Sequence, residues 1–175
     1  MTSKNNNYLL RKWSLWLLPF WLLLQGSCGV YSFTGASIEG KTINFHTLEN
    51  RARSVMPSLS ALMTDKIRNR ILTQTGLAPL NSDNADYDLS GFISGYETSV
   101  TAVQNTQTAS MNRLTITVQI DFKNRKNPKL SFTQSFQRFA DYNATQALQS
   151  VEGRLIDEIG AQLADDIFNK AFVNW

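Results

Sequence analysis

The middle of the chain constrains it most. Leu114, Ile116, Val118, Ile120 and Phe122 are apolar, and Arg113, Thr115, Thr117, Gln119 and Asp121 between them are polar. Strict period two over this length predicts a β-strand with one buried and one wet face. Asn127-Pro128, within Lys123–Lys129, then reverses the chain. Leu130, Phe132 and Phe136 alternate with Ser131, Thr133 and Ser135, which predicts a second strand. A hairpin with a single apolar face needs a cover.

Two segments have the helical period to supply it. Leu59, Leu62, Met63, Ile67 and Ile71 recur at spacings of three and four, so they form one apolar stripe. Pro57 stops continuation from upstream, Ser58 is a candidate N-cap, and Gly76 sits where a C-terminal cap belongs, with Pro79 beyond it. The second helix is expected from about Thr145 to about Phe172. Its stripe is Leu148, Val151, Leu155, Ile159, Leu163 and Ile167, widened by Ile156 and Phe168.

A first strand is expected over Ser37–Phe45, where Ile43 and Phe45 alternate. Another is expected from Tyr87, Leu89, Gly91 and Ile93, after turn chemistry at Asn81–Ala85. Thr98–Ser110 is polar and reads as a long hairpin loop or a ragged strand end. The order is βαβββα, and the fold class is α+β: a largely antiparallel sheet with two helices packed on one face.

The amino terminus is of another kind. Lys4, Arg11 and Lys12 precede an apolar run from Trp13 to Leu24, too short to cross a bilayer as a helix but suited to a signal peptide. Gly26-Ser27 supplies small residues before Cys28, the only cysteine. That arrangement resembles the lipobox of bacterial lipoproteins, with Gln25 where Leu is usual. It predicts a signal peptide over 1–27, lipidation at Cys28 and one mature domain over 28–175. A lone cysteine in an exported chain has no internal disulfide partner, which favours acylation over an incidental thiol.

The net charge of +3 suggests a nucleic-acid partner, but its distribution argues against one. The three basic residues before Cys28 account for the excess, and from Cys28 onward 14 basic face 14 acidic residues. One His and one Cys are too few for a His/Cys metal site. No G-x-S-x-G elbow, P-loop or dinucleotide fingerprint is present. His46 reads as a strand-end side chain with a solvent or backbone partner. Asp157-Glu158 and Asp165-Asp166 diverge by about 100° around a helix and read as a solvated face. The expectation is a chain with no catalytic residues, no cofactor and no metal.

One cluster remains. Lys123, Arg125, Lys126 and Lys129 crowd the tip of the strongest hairpin. Cations held together by strand rigidity repel one another and gain from phosphate or carboxylate partners. The tip reads either as a solvated turn or as an anion site for lipid phosphates or an acidic partner surface.

Whole-chain pattern adds a resemblance. Cys-Gly-Val-Tyr-Ser-Phe-Thr-Gly (28–35), the Ile38–Phe45 segment, Asn112-Arg113-Leu114-Thr115-Ile116, Asp166-Ile167-Phe168-Asn169 and the closing Asn174-Trp175 carry it. The mature chain resembles the LptE-type lipopolysaccharide-assembly lipoproteins in their Bacteroidetes-like form. The resemblance implies a non-enzymatic lipoprotein, lipid-anchored on the periplasmic face of the outer membrane. It implies a heterodimer in which the chain plugs and helps assemble an LptD-type β-barrel, binds lipopolysaccharide and assists its transport to the outer leaflet. No contact residue carries over from the resemblance; the four tip cations are the candidate anion or lipopolysaccharide contact on their own charge, in line with the family's affinity for anionic glycolipid. The alternatives are a pilotin-like assembly lipoprotein for another outer-membrane machine, and a periplasmic enzyme or enzyme-inhibitor lipoprotein.

Overall fold

The strict alternation of the middle segment becomes β5, Met111–Asn124, in a computed structural model that describes residues 38–53, 56–101 and 110–173. Leu114, Ile116, Val118, Ile120 and Phe122 are fully buried. β5 pairs antiparallel on one side with β4, Tyr87–Thr101, and on the other with β6, Phe132–Asn143. The remaining strands are short: β1 Thr42–Phe45, β2 Glu49–Asn50 and β3 Ala78–Pro79. β1 and β2 run parallel to β4 one after the other, and β3 lies outside β1, giving the order β3-β1-β4-β5-β6. The sheet is therefore mixed but mostly antiparallel.

Both helices lie on the inner face. α1 spans Leu59–Thr75 and α2 spans Leu148–Phe172. Together with the inner residues of β4, β5 and β6 they enclose one core. The helices cross closely at Gly160, where an added Cβ would lie 3.1 Å from Met63 Cε and 3.3 Å from Lys66 Cγ. At the lower end, Phe122 packs against Tyr87, Phe132 and Phe172 with ring centroids 5.8, 5.4 and 5.4 Å away. That aromatic group fastens the last turn of α2 to three strands.

The α+β class and the helices on one face agree with the sequence reading, while several details differ. β1 starts at Thr42; residue 37 and the signal segment 1–27 lie outside the described residues. The buried row of α1 is Leu59, Met63, Ile67 and Ile71, a pure i, i+4 line, and Leu62 falls off it onto the surface. Thr64 takes the inner place because its hydroxyl donates to the Ser60 carbonyl (2.7 Å) and accepts the Leu48 amide (3.0 Å). Ser58 does not cap through its side chain: its backbone is already helical, at φ −80° and ψ −8°. Gly76 does close α1, at φ +67°, its amide donating to the Leu72 carbonyl at 3.1 Å.

α2 begins at Leu148 and not near Thr145. The Thr145 amide and hydroxyl both donate to Asn143 Oδ1 (2.9 and 2.7 Å), which holds that stretch as a turn. β4 continues to Thr101 because a bulge between Ile93 and Gly95 shifts its phase, moving the inner positions from odd numbers to Tyr96 and Thr98. The rest of the expected loop, 102–109, lies outside the described residues. Leu130 belongs to a short 3-10 turn, Pro128–Leu130, and is exposed.

Candidate functional site

The tip of the β5–β6 hairpin is held by its own short side chains. The Asn124 amide donates to Ser131 Oγ (2.9 Å), and the Asn127 amide donates to Asn124 Oδ1 (2.8 Å). Pro128 opens the 3-10 turn with its fixed φ. The Arg125 amide donates to the Asp86 carbonyl at 2.9 Å, which ties the tip to the segment just before β4.

Asp86 is the hub of this end of the sheet. Its Oδ2 accepts the Lys41 amide (2.7 Å), the Thr42 amide (3.1 Å) and the Thr42 hydroxyl (3.1 Å), while Lys126 Nζ lies 3.0 Å from Oδ1. The Lys41 amide first, then Lys126 and Thr42, hold its carboxyl well below the usual carboxylate range against the opposing effect of burial. Lys126 is thus engaged within the chain.

The other tip cations go to different places. Lys123 stands directly across from Asp88 on the sheet. Lys129 shares a cavity of about 300 Å³ with Lys170, Phe132, Leu130 and Ser131, where the start of β6 meets the end of α2. Lys170 Nζ lies 5.7 Å from the Phe132 ring centroid. The turn therefore does not present four equivalent charges. Two separate elements instead bring Lys129 and Lys170 together, forty-one positions apart in sequence, and neither has an ion-pair partner among the described residues. Sequence reasoning missed Lys170; its place in the last turn of a long helix was the only available signal.

His46 extends another expectation. Its Nε2 lies 3.0 Å from Asp88 Oδ2, a side chain only 7% exposed, and Asn44 Nδ2 donates to the same oxygen at 3.1 Å. A buried carboxylate is thus added to the expected partners: the His46 side chain stays 48% exposed to solvent, and its amide donates to the Leu89 carbonyl (2.9 Å). The acidic pairs of α2 also do more than face water. Asp157 pairs with Lys66 (2.8 Å) and Asp165 with Arg70 (2.7 Å), which bridges the helices. Asp166 receives both Nε and Nη2 of Arg138 on β6, at 2.5 and 2.7 Å.

The outer face of the sheet, opposite the helices, carries Thr115, Thr117, Gln119, Thr133, Ser135 and Gln137 in adjacent rows. No helix covers these rows among the described residues. Two aromatic rings on this face are each topped by an arginine: Arg113 over Phe139 at 3.5 Å and Arg51 over Phe92 at 4.1 Å. Arg113 also forks onto Asp141, directly opposite, at 2.7 and 2.9 Å. The face is mostly polar and hydrogen-bonding. Cys28 lies outside the described residues, and no described helix is long and apolar enough to cross a membrane.

Among solved structures the chain is similar to a minor lipoprotein of Acinetobacter baumannii, at 15% identity and TM-score 0.50, covering 76% of this chain and 93% of that one. It is similar to hypothetical protein CT253 of Chlamydia trachomatis (9%, TM-score 0.51, 75% and 98%). It is also similar to an uncharacterized lipoprotein B of Nitrosomonas europaea (11%, TM-score 0.51, 75% and 81%). At these identities the likeness is one of fold. No curated protein sequence matches the chain. The family described as LptE, lipopolysaccharide-assembly, matches residues 40–171, which takes in every described strand, all of α1 and all but the last residue of α2. The chain belongs to the LptE lipopolysaccharide-assembly family.

Proposed function

We propose that this chain is a non-enzymatic, lipid-anchored subunit on the periplasmic face of the outer membrane. It sits as a plug in the lumen of an LptD-type β-barrel, helps that barrel assemble and assists lipopolysaccharide delivery to the outer leaflet. The observation that carries this reading is the uncovered outer face of the sheet, with Thr, Ser and Gln in register on β5 and β6. A barrel lumen is polar, and a plug must offer it hydrogen-bonding side chains in place of an apolar patch. Family membership supports the lipopolysaccharide-assembly role. The anchor is assigned to Cys28, after a signal peptide over 1–27. The glycolipid contact is assigned to Lys123, Arg125, Lys126 and Lys129, with Lys126 weakened as a contributor by its pairing to Asp86.

Affinity purification of the full-length chain in mild detergent tests the reading. A large barrel should come down in equal stoichiometry, and Cys28→Ala should leave an unprocessed precursor or a soluble periplasmic form. Recovery of the chain without a barrel, or with the subunits of a different outer-membrane machine, overturns the assignment. Intact-mass analysis showing an unmodified Cys28 on mature protein overturns the anchor.

A further inference from the structure

The two edges of the sheet are unlike. β3, on one side, is two residues long and ends in Pro79, which has no amide hydrogen to offer. Shortness and proline are ways by which natural sheets prevent unwanted pairing. β6, on the other side, is twelve residues long and contains no proline or lysine. Its register with β5 runs from Met111↔Asn143 to Phe122↔Phe132 without a bulge. Its two charged residues, Arg138 and Asp141, are spent on Asp166 and Arg113 within the chain. No strand pairs with its outward side among the described residues.

The outward groups can be named. The Ala144 amide donates to the Ser110 carbonyl (2.9 Å), so pairs in phase with 110/144 exchange hydrogen bonds across β5–β6. Even-numbered residues of β6 therefore bond to β5. Thr133, Ser135, Gln137, Phe139 and Asp141 point their N–H and C=O outward. Beside this edge, against α2, lie two hollows that share Lys170 and together form the groove side of the edge: one with Lys129 and Phe132, the other with Phe136, Asn169 and the Arg138–Asp166 clasp.

We infer that the open edge of β6 takes an added strand from a protein partner, an extended segment whose carboxylate meets Lys129 and Lys170. Main-chain bonds to the outward row supply affinity, and the groove reads side chains on the α2 side. Charge complementarity selects the partner. Lys129 and Lys170 line one cavity and neither has an ion-pair partner among the described residues, and a second copy does not supply one. Antiparallel self-pairing over the whole strand, with inner faces matched, brings residues 143–147 of the copy opposite Lys129, and that stretch has no acidic residue. The inference rests on the reading of the chain as a subunit of a larger outer-membrane assembly.

The test is photo-cross-linking of the full-length chain in cells. One photoreactive residue replaces Thr133 on the edge, and another, in a separate variant, replaces Thr117 in the middle of the outer face. The edge probe should capture an extended, acid-bearing segment of a larger protein, identified by peptide mapping. Ser135→Pro with Gln137→Pro removes two outward amides and should cut that capture at least tenfold. Ser135→Ala with Gln137→Ala keeps the amides and should stay within twofold of wild type. Proline is tolerated at outward edge positions, and thermal unfolding of the isolated chain checks that the fold survives. Lys129→Glu with Lys170→Glu leaves the strand untouched and should also lower capture about tenfold, an effect that weakens as salt is raised. Capture by the Thr117 probe alone overturns the added strand and leaves the assembly reading intact. Capture by neither overturns both. Cross-linking of the edge probe to another copy, or equal effects of the proline and alanine pairs, also overturns it.

Discussion

Phe122 and Phe139 are the same residue type on adjacent strands, and they should respond very differently to truncation. Phe122 is fully buried on the inner face and touches Tyr87, Phe132 and Phe172. Phe122→Ala removes its transfer free energy and leaves a cavity that the strand backbone cannot close, a loss of about 3–5 kcal/mol. Against the roughly 5–15 kcal/mol that holds a typical domain folded, this is a large fraction. At about 2–4 °C per kcal/mol for a chain of this size, the midpoint should fall by about 10 °C. Phe139 is 46% exposed on the outer face, and its main contact is the Arg113 guanidinium at 3.5 Å. An exposed cation–π pair contributes about 0.5–1 kcal/mol, so Phe139→Ala should move the midpoint by only a few degrees. Thermal unfolding followed by far-ultraviolet circular dichroism measures both. A double-mutant cycle of Phe122 with Phe172 should add a coupling of about 0.5–1.5 kcal/mol, since the rings meet edge-on at 5.4 Å. Equal destabilisation by the two alanine variants would refute the assignment of the faces.

Three further variants test other parts of the structure. At Gly91 an added Cβ would lie 2.1 Å from the Gln119 carbonyl oxygen, so Gly91→Ala should cost about 1–3 kcal/mol or shift the β4–β5 pairing; Gly153, on α2 with nothing within 4 Å, should gain about 0.5–1 kcal/mol as alanine, both read by denaturant midpoint. Asp86 has its carboxyl held below the unfolded value, so its contribution is complete above about pH 4 and is lost as pH falls through the acid range; Asp86→Asn should lower stability at neutral pH and flatten the acid side of the stability–pH curve, and an unchanged acid limb would remove Asp86 as a titrating anchor.

What the sequence made legible follows from the range of each signal. β5 was readable because each of its residues belongs plainly to one face. Both helices were readable because their apolar rows recur within a turn. The bulge at Ile93–Gly95 hid the second half of β4, since one extra residue turns a clean alternation into noise. Thr64 was hidden in α1 because a hydroxyl bonded at both ends behaves as a core residue. Gln134 and Arg138 look like breaks in β6's apolar row, yet they occupy inner-face positions at an edge where α2 leaves room for Asp166 to meet the guanidinium. The parallel pairing of β1 and β2 with β4 and the meeting of Lys129 with Lys170 had no local signature. Both depend on segments tens of residues apart, and periodicity carries no information at that distance.

The hub at Asp86 also bears on the order in which the chain comes together. Its carboxylate holds Lys41 and Thr42, 45 and 44 residues upstream, and Lys126 at the far hairpin turn. Bringing those three segments together requires long loop closures, so these bonds are expected to close late in folding. Interactions absent from the transition state slow unfolding without speeding folding. Asp86 is therefore expected to act as a latch on the finished domain, lengthening its folded lifetime.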